Sequence, residues 1–443
     1  MDDWIRHAIW WQVYPLGATG AEPAALPAGA AAVPRLARLQ AWLPHLVGLG
    51  CNGLALGPVF ASATHGYDTI DHLSVDRRLG TEQDLQDLVD ACHTRGVRVL
   101  LDGVFNHVGR EFPRFREVLD QGPAAPAASW FDLDPSRPGP DGFGYRDFEG
   151  HAALVALDHG NPEVADHVAN VMTYWCDRGV DAWRLDAAYA VPPALWRDVL
   201  PRVRERHSDV WIVGEVLHGD YAGYVAESGV DSVTQYELWK AVWSSLNDRN
   251  LFELAHALRR HGEMVRAFLP QTFVGNHDVT RLASRLDDRR HLPLALALLF
   301  ALPGVPTVYY GDEFGLRGVK EDRAGGDDAV RPALPESVAA PDPEAEAVAD
   351  LHRLLIGVRR RHPWLAGAHV AEPDVLTNDV LALRLTGGSD TLAVVLNLGD
   401  APADVALPLT GATVLAGQAV LGERGESTSV RVPPHDFALI GRE

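Results

Sequence analysis

Cysteine is scarce in this chain of 443 residues: Cys51, Cys92 and Cys176 are the only three, and none forms a C-x-x-C pair. An odd count in so long a chain excludes a disulfide framework as the organiser of the fold, so buried, reduced thiols are expected. Lysine is rarer still, with Lys240 and Lys320 alone; the other basic residues are arginines. Lys and Arg total 39 against 60 Asp and Glu, a formal charge of −21. That sign argues against sequence-independent binding to nucleic acid or to an anionic membrane and suits a neutral or cationic ligand. Long apolar runs are missing too. The longest candidate, 292–308, is broken by Pro293, Pro303, Gly304 and Pro306, short of the ~18 uninterrupted apolar residues of a membrane span. The acidic start Met1-Asp2-Asp3-Trp4 lacks the basic opening of a signal peptide. A soluble cytoplasmic protein is expected.

What is present is ordinary globular composition, 47% hydrophobic and 22% charged, long enough for one large barrel and an accessory domain. Apolar, strand-like runs recur at 8–14, 51–59, 97–105, 180–186, 211–216, 232–237, 268–277 and 305–311. Helical periodicity follows them, and eight strand–helix units predict a closed parallel (β/α)8 barrel. Thr81-Glu82-Gln83-Asp84 reads as a capping box, and Asn161-Pro162-Glu163 as a cap with proline at the first helical position. Residues 108–156, rich in Pro, Gly and aromatics, interrupt the rhythm as an inserted small domain. A second long loop spans 317–345. From about Ala368 the period changes to alternation at Leu381, Leu383 and Leu385, which predicts a C-terminal antiparallel β-sandwich over 367–443. The barrel then comprises 1–107 and 157–366.

The chemistry-bearing residues stand at strand ends. In Val180-Asp181-Ala182-Trp183-Arg184-Leu185-Asp186, alternation puts Ala182, Arg184 and Asp186 on the inward face and Trp183 and Leu185 on the outward one. Catalytic groups of barrel enzymes lie at the C-terminal ends of such strands. Glu215 ends the fifth run, Asp278 and His277 follow the seventh, and Asp102 and His107 flank the end of the third. Each alone has an ordinary structural reading, as a salt bridge, a rim histidine or a solvated glutamate. Together they converge on one barrel mouth, where burying so many titratable groups without a use is costly. Two carboxylates roughly 5–5.5 Å apart suit retaining glycoside hydrolysis. Asp186, beside Arg184 in sequence, is expected to have a low pKa and to attack. Glu215, with fewer cationic neighbours in sequence, is expected to be the proton donor, and Asp278 to stabilise positive charge in the transition state.

The segments Asp102-Gly103-Val104-Phe105-Asn106-His107, Gly179-Val180-Asp181-Ala182-Trp183-Arg184-Leu185-Asp186, Gly214-Glu215-Val216 and Val274-Gly275-Asn276-His277-Asp278 resemble, in order, the four signature regions of the α-amylase family, glycoside hydrolase family 13. The resemblance runs from Trp10-Trp11-Gln12-Val13-Tyr14-Pro15 almost to the end of the chain. It implies Asp186 as nucleophile, Glu215 as general acid/base and Asp278 as transition-state stabiliser. It also implies substrate contacts from Tyr67 and Asp68 of Gly66-Tyr67-Asp68, from Asp102, His107, Arg184 and His277, and from the pair Asp327 and Arg331. Gly214-Glu215-Val216-Leu217-His218 looks most like the cyclomaltodextrinase/neopullulanase/maltogenic amylase branch, adding His218. That branch usually carries an N-terminal β domain, whereas here the barrel begins near residue 8. Short or cyclic α-gluco-oligosaccharides, cleaved to maltose or glucose, are the expected substrates, and a homodimer completing the cleft would fit the open side. No metal is expected in catalysis. Asn106 matches a Ca²⁺-binding position of secreted amylases, leaving a structural Ca²⁺ there open, and neither 16–27 nor 132–141 holds a complete D-x-D-x-D-G pattern. The sequence leaves two rival readings: a transglycosidase or isomerase on the same scaffold, and a non-catalytic amylase-like binding subunit.

Overall fold

The computed structural model describes all residues except 1–2, 135, 137–138, 140, 324, 337, 339–341, 426 and 443. Met1 and Asp2 of the acidic start, and parts of 132–141, thus lie outside the described residues. Eight parallel strands form one sheet: β1 (Trp10–Val13), β2 (Gly53–Leu56), β3 (Arg98–Gly103), β4 (Ala182–Leu185), β5 (Trp211–Gly214), β6 (Ser232–Val233), β7 (Gln271–Phe273) and β8 (Val305–Tyr309). Their order is β6-β5-β4-β3-β2-β1-β8-β7. A parallel bridge between Thr234 and Gln271, with Gln235 N donating to Gln271 O at 2.9 Å, joins the two edges and closes the barrel. The register places Arg184 of β4 level with Asp102 of β3 and Leu185 level with Gly214 of β5. Residues distant in sequence are thereby set side by side at the strand ends.

The lower interior of the barrel is an apolar plug. Trp10 and Trp211 stack at 5.9 Å, packed with Ala8, Ala55, Leu100, Ala182, Val213 and Val305. Gly53 is required there: a Cβ would lie 2.3 Å from the Trp10 ring. On the outer face Trp183 is fully buried, its indole N–H directed to Cys176 Sγ at 3.4 Å on helix Pro162–Cys176. The capping box forms as expected, Thr81 accepting from Asp84 N and the Asp84 carboxylate accepting from Thr81 N, and Asn161 caps its helix through Glu163 N. All three cysteines are free and buried.

The segment after β3 forms a three-stranded antiparallel sheet of His107–Gly109, His151–Ala156 and Asp147–Phe148 beside the barrel mouth. At the C-terminus two antiparallel sheets face each other. The larger runs His369–Val370, Val380–Gly387, Asp390–Asn397, Asp436–Gly441 and Thr413–Gly417. Its Ala382, Ala393 and Val395 pack with Val405, Leu407, Val430 and Val432 of the smaller sheet. Leu381, Leu383 and Leu385, on the opposite face, belong to the barrel core. Helix Leu292–Ala301 lies between, packed on that sheet and buried from Leu294 onward. This explains the apolar run at 292–308, since a helix covered on all sides is hydrophobic all round. No described helix is long and apolar enough to cross a membrane.

Candidate active site

Arg184 organises the barrel mouth. Its Nη1 lies 2.7 Å from both oxygens of Asp102 and 3.3 Å from Asp186 Oδ1, and its Nη2 lies 2.8 Å from Glu215 Oε1. All four side chains are buried. The other Glu215 oxygen accepts from the backbone N–H of Ala187 at 2.9 Å. Ala187 has φ of 45°, a left-handed conformation costly for a residue with a Cβ. That conformation, directly after Asp186, turns its N–H onto Glu215. The Tyr236 hydroxyl donates to Glu215 Oε1 at 3.2 Å and accepts from Asn276 Nδ2 at 2.9 Å.

Asp278 occupies the facing side. Its carboxylate lies 2.9 Å from His277 Nε2 and 2.9 Å from Arg331 Nη2. Arg331 also reaches Asp327 at 3.0 Å, donates to the His277 carbonyl at 3.0 Å and lies over the Tyr14 ring. The His277 ring lies nearly parallel to the Tyr14 and Tyr67 rings, with planes within 7°. Gln12 Nε2 sits 3.3 Å from His277 Nδ1. An amide N–H can only donate, so the His277 proton belongs on Nε2, facing Asp278 and the Tyr67 oxygen. The Tyr67 hydroxyl in turn donates to Asp102 at 3.2 Å.

The charges are unevenly matched. Burial pushes the Asp186 carboxyl well above its ordinary range; Arg184 opposes this, while Glu215, Asp102 and Asp278 reinforce it. Burial also raises Asp102 against Arg184 and His277. For Asp278 burial is outweighed by His277, Arg331 and Arg184, which hold it below the usual carboxylate range. Burial keeps the Tyr67 and Tyr236 phenols neutral and lowers His107 to about 3. Two expectations are thereby corrected. Asp186 is not a low-pKa carboxylate, and Glu215 is not poor in cationic neighbours. The cause is the register: Arg184 lies closer to Asp102 and Glu215, on flanking strands, than to Asp186 two residues on.

Of the residues singled out in the sequence, Tyr67, Asp102, Arg184, Asp186, Glu215, His277, Asp278 and Arg331 form one bonded network, and Asp327 joins it through Arg331. Asp68 and His107 stand behind it. Asp68 takes the Thr64 N–H at 3.0 Å and hydroxyl at 2.6 Å, fixing the turn that carries Tyr67. His107 bonds the Tyr67 carbonyl at 3.1 Å and Asn106 Nδ2 at 3.1 Å, with Phe148 stacked on its ring. His218 is exposed at the rim. Sequence reasoning missed Gln12, Tyr14, Asn276 and Tyr236. The strand-end rule that found Asp186 applies equally to Gln12 of β1 and to Tyr236 just past β6, but neither is charged.

Comparison with known proteins agrees with this geometry. The profile described as "Alpha amylase, catalytic domain" matches residues 36–369. The chain belongs to the α-amylase family. A second profile, "Domain of unknown function (DUF3459)", matches residues 363–439. A cyclomaltodextrinase of Geobacillus thermopakistaniensis (strain MAS1) is 29% identical, over 100% of this chain and 78% of its own length. Another, from Bacillus sp, is 34% identical over 71% of this chain and 60% of that protein. The solved cyclic α-maltosyl-(1→6)-maltose hydrolase of Arthrobacter globiformis superposes with a TM-score of 0.83 at 27% identity, covering 100% of both chains. This member of the α-amylase family is a glycoside hydrolase.

Proposed function

We propose that the protein is a retaining α-glycoside hydrolase of short or cyclic α-gluco-oligosaccharides, releasing maltose or glucose, and that it works in the cytoplasm. The observation that carries the mechanism is the Arg184 guanidinium, bonded at once to Asp186 and Glu215. One planar group, with a hydrogen bond to Asp186 and an ion pair to Glu215, limits how far apart these carboxylates can be, in keeping with the spacing of a double displacement.

In this reading an Asp186 oxygen attacks the anomeric carbon as the bond to the leaving oxygen breaks, and Glu215 hands that oxygen its proton. The Asp186–sugar ester is then cleaved by water, whose proton returns to Glu215. Asp186 starts desolvated and crowded by carboxylates, a strain relieved when it bonds carbon and its charge is lost. Asp278, ionised by His277 and Arg331, faces the positive charge that grows on the ring. Tyr67, His277, Arg331 and Asp327 are linked to Asp278 by direct contacts or through one another and offer sugar-binding groups. These steps need side chains alone and no metal ion. The substrate class is supported by the relatives, named for cyclomaltodextrins, and by the structural neighbour, named for a cyclic tetrasaccharide. Three free, buried thiols suit a reducing compartment.

The test is product analysis on linear, branched and cyclic α-glucosides, with NMR observation of the first anomer formed. Maltose or glucose released first as the α-anomer is expected. A β-anomer released first, dominant transfer to a sugar acceptor, or no turnover of any α-glucoside would overturn the reading.

A further inference from the structure

Two histidines and an aspartate meet where the barrel joins the C-terminal sheets. His291 ends the one-turn helix Arg289–His291 that leads into Leu292–Ala301, and His435 precedes strand Asp436–Gly441, on which that longer helix packs. One ligand atom each of Asp288, His291 and His435 lies within 4.8 Å of the other two, the one such trio among the described residues. His291 Nε2 is 3.1 Å from His435 Nδ1, and His435 Nε2 is 2.8 Å from Asp400 Oδ1. A carboxylate oxygen only accepts, so the His435 proton sits on Nε2 and the Nδ1 lone pair faces His291. An outer carboxylate orients metal-ligating imidazoles in this way and raises their basicity. His291 is 3% exposed, and its buried Nδ1 has no hydrogen-bond partner among the described residues. Either of its nitrogens can therefore give a lone pair to an ion while the other keeps the proton. Burial lowers the His291 pKa and keeps the ring neutral, while Arg290 holds the Asp288 carboxyl below the usual carboxylate range. The Asp288–Arg290 pair is itself exposed and weak, so the carboxylate can be shared with a cation. Arg249, the other arginine nearby, is spent on Asp379 at 2.9 Å and Asp400 at 3.4 Å.

We propose that Asp288, His291 and His435 bind a divalent first-row transition ion such as Zn²⁺, with water completing a tetrahedron, and that the ion clamps the barrel to the C-terminal domain. Two imidazoles and one carboxylate match that class of ion, whereas Ca²⁺ and Mg²⁺ take shells of oxygen. Two nitrogens on a tetrahedral zinc, at Zn–N of about 2.0–2.1 Å, stand about 3.3 Å apart. The two rings already hold their facing nitrogens at 3.1 Å. Without the ion a proton bridges these nitrogens, and the ion takes its place. The site shares no residue with the network around Arg184, so its effect is on stability and the steps proposed above do not pass through it.

The experiment titrates the full chain, stripped with EDTA and dialysed, with ZnCl₂ by calorimetry, and melts it with and without the ion. One Zn²⁺ per chain is expected, with Tm rising by about 3 °C at a hundredfold excess over Kd. Asp288→Asn, His291→Gln and His435→Gln should each weaken binding by about tenfold or more and shrink the rise in Tm. His256→Gln, at an exposed histidine, should leave both in place. Should a histidine variant fail to fold, Asp288→Asn still decides, together with the visible absorption of the Co²⁺-loaded wild type, which is intense only for a tetrahedral site. No saturable Zn²⁺ binding by wild type, binding that survives all three substitutions, or a Tm raised by Ca²⁺ and not by Zn²⁺ would overturn the proposal and leave His291, His435 and Asp400 as a hydrogen-bonded chain between the domains.

Discussion

Two arginines, Arg78 and Arg184, are buried among carboxylates, and they are used in opposite ways. Arg78 meets one carboxylate. It donates from Nε and Nη2 to the two oxygens of Asp76 at 2.9 and 2.7 Å, and its remaining N–H groups go to Ser62 Oγ and to the carbonyls of Glu22 and Thr64. Every charge is matched and every donor placed. Arg184 meets three carboxylates, with a fourth at Asp278 nearby. A matched pair lowers its own energy and has nothing left to offer a ligand. A cluster with excess negative charge, held in place by its strands, is costly in the free protein and is relieved when positive charge develops among its members. The contrast separates scaffold from chemistry without reference to any substrate.

The comparison can be broken most sharply at Asp186. Asp186→Asn and, separately, Glu215→Gln should each lower kcat by about four to six orders of magnitude on a sugar leaving group. Asp186→Asn should at the same time raise Tm by about 1–2 °C. The sign follows from linkage. A carboxyl raised on folding costs stability once the pH exceeds its ordinary value, and fully so above its raised one; the neutral amide removes that cost. A fall in Tm would mean that Asp186 is a satisfied partner of Arg184 and that the contrast with Arg78 is false. At the other arginine the pattern inverts. Arg78→Met strands a buried Asp76 and should cost about 3–5 kcal/mol in urea unfolding, with kcat per titrated active site unchanged.

A smaller effect tests who crowds Asp186. Attack requires its ionised form, so its raised pKa sets the acid limb of kcat/KM above the ordinary carboxylate range. Asp102→Asn deletes one of the charges that raise it. The acid limb should then move to lower pH even though activity falls. Movement to higher pH would show that Asp102 acts on Asp186 mainly by positioning Arg184.

How much of this was legible in the sequence follows from which interactions are local. The eight strands and the helix caps at Thr81 and Asn161 are written in short-range alternation and capping chemistry. Asp186, Glu215 and Asp278 were legible because a charge ending an apolar run is conspicuous. The sharing of Arg184 was not legible. Two residues along a strand look close in sequence, but the register with β3 and β5 brings Asp102 and Glu215 closer. Gln12 and Tyr236 stayed hidden for another reason, as did Tyr14, whose ring lies by His277 and Arg331: uncharged residues in apolar runs look like core until their hydroxyl, amide or ring is seen to meet a charged group or an imidazole.

Asp68 marks the finest division between the two kinds of carboxylate. The resemblance that pointed to Tyr67 assigned both residues to the substrate, but only the Tyr67 side chain reaches the network. Asp68 spends its oxygens on Thr64, as Asp76 spends its own on Arg78. Asn in its place keeps one acceptor and loses the charge, so Asp68→Asn should cost about 1.5–3 kcal/mol of stability, the worth of a hydrogen bond to a charged group. Because the turn carries Tyr67, whose carbonyl also meets His107, a small displacement should reach the pocket and lower kcat/KM by less than about tenfold. That loss should divide evenly among substrates of different length and leave the pH profile in place. A rise in KM confined to longer oligosaccharides, or a moved acid limb, would return Asp68 to the cleft and place it with the carboxylates around Arg184.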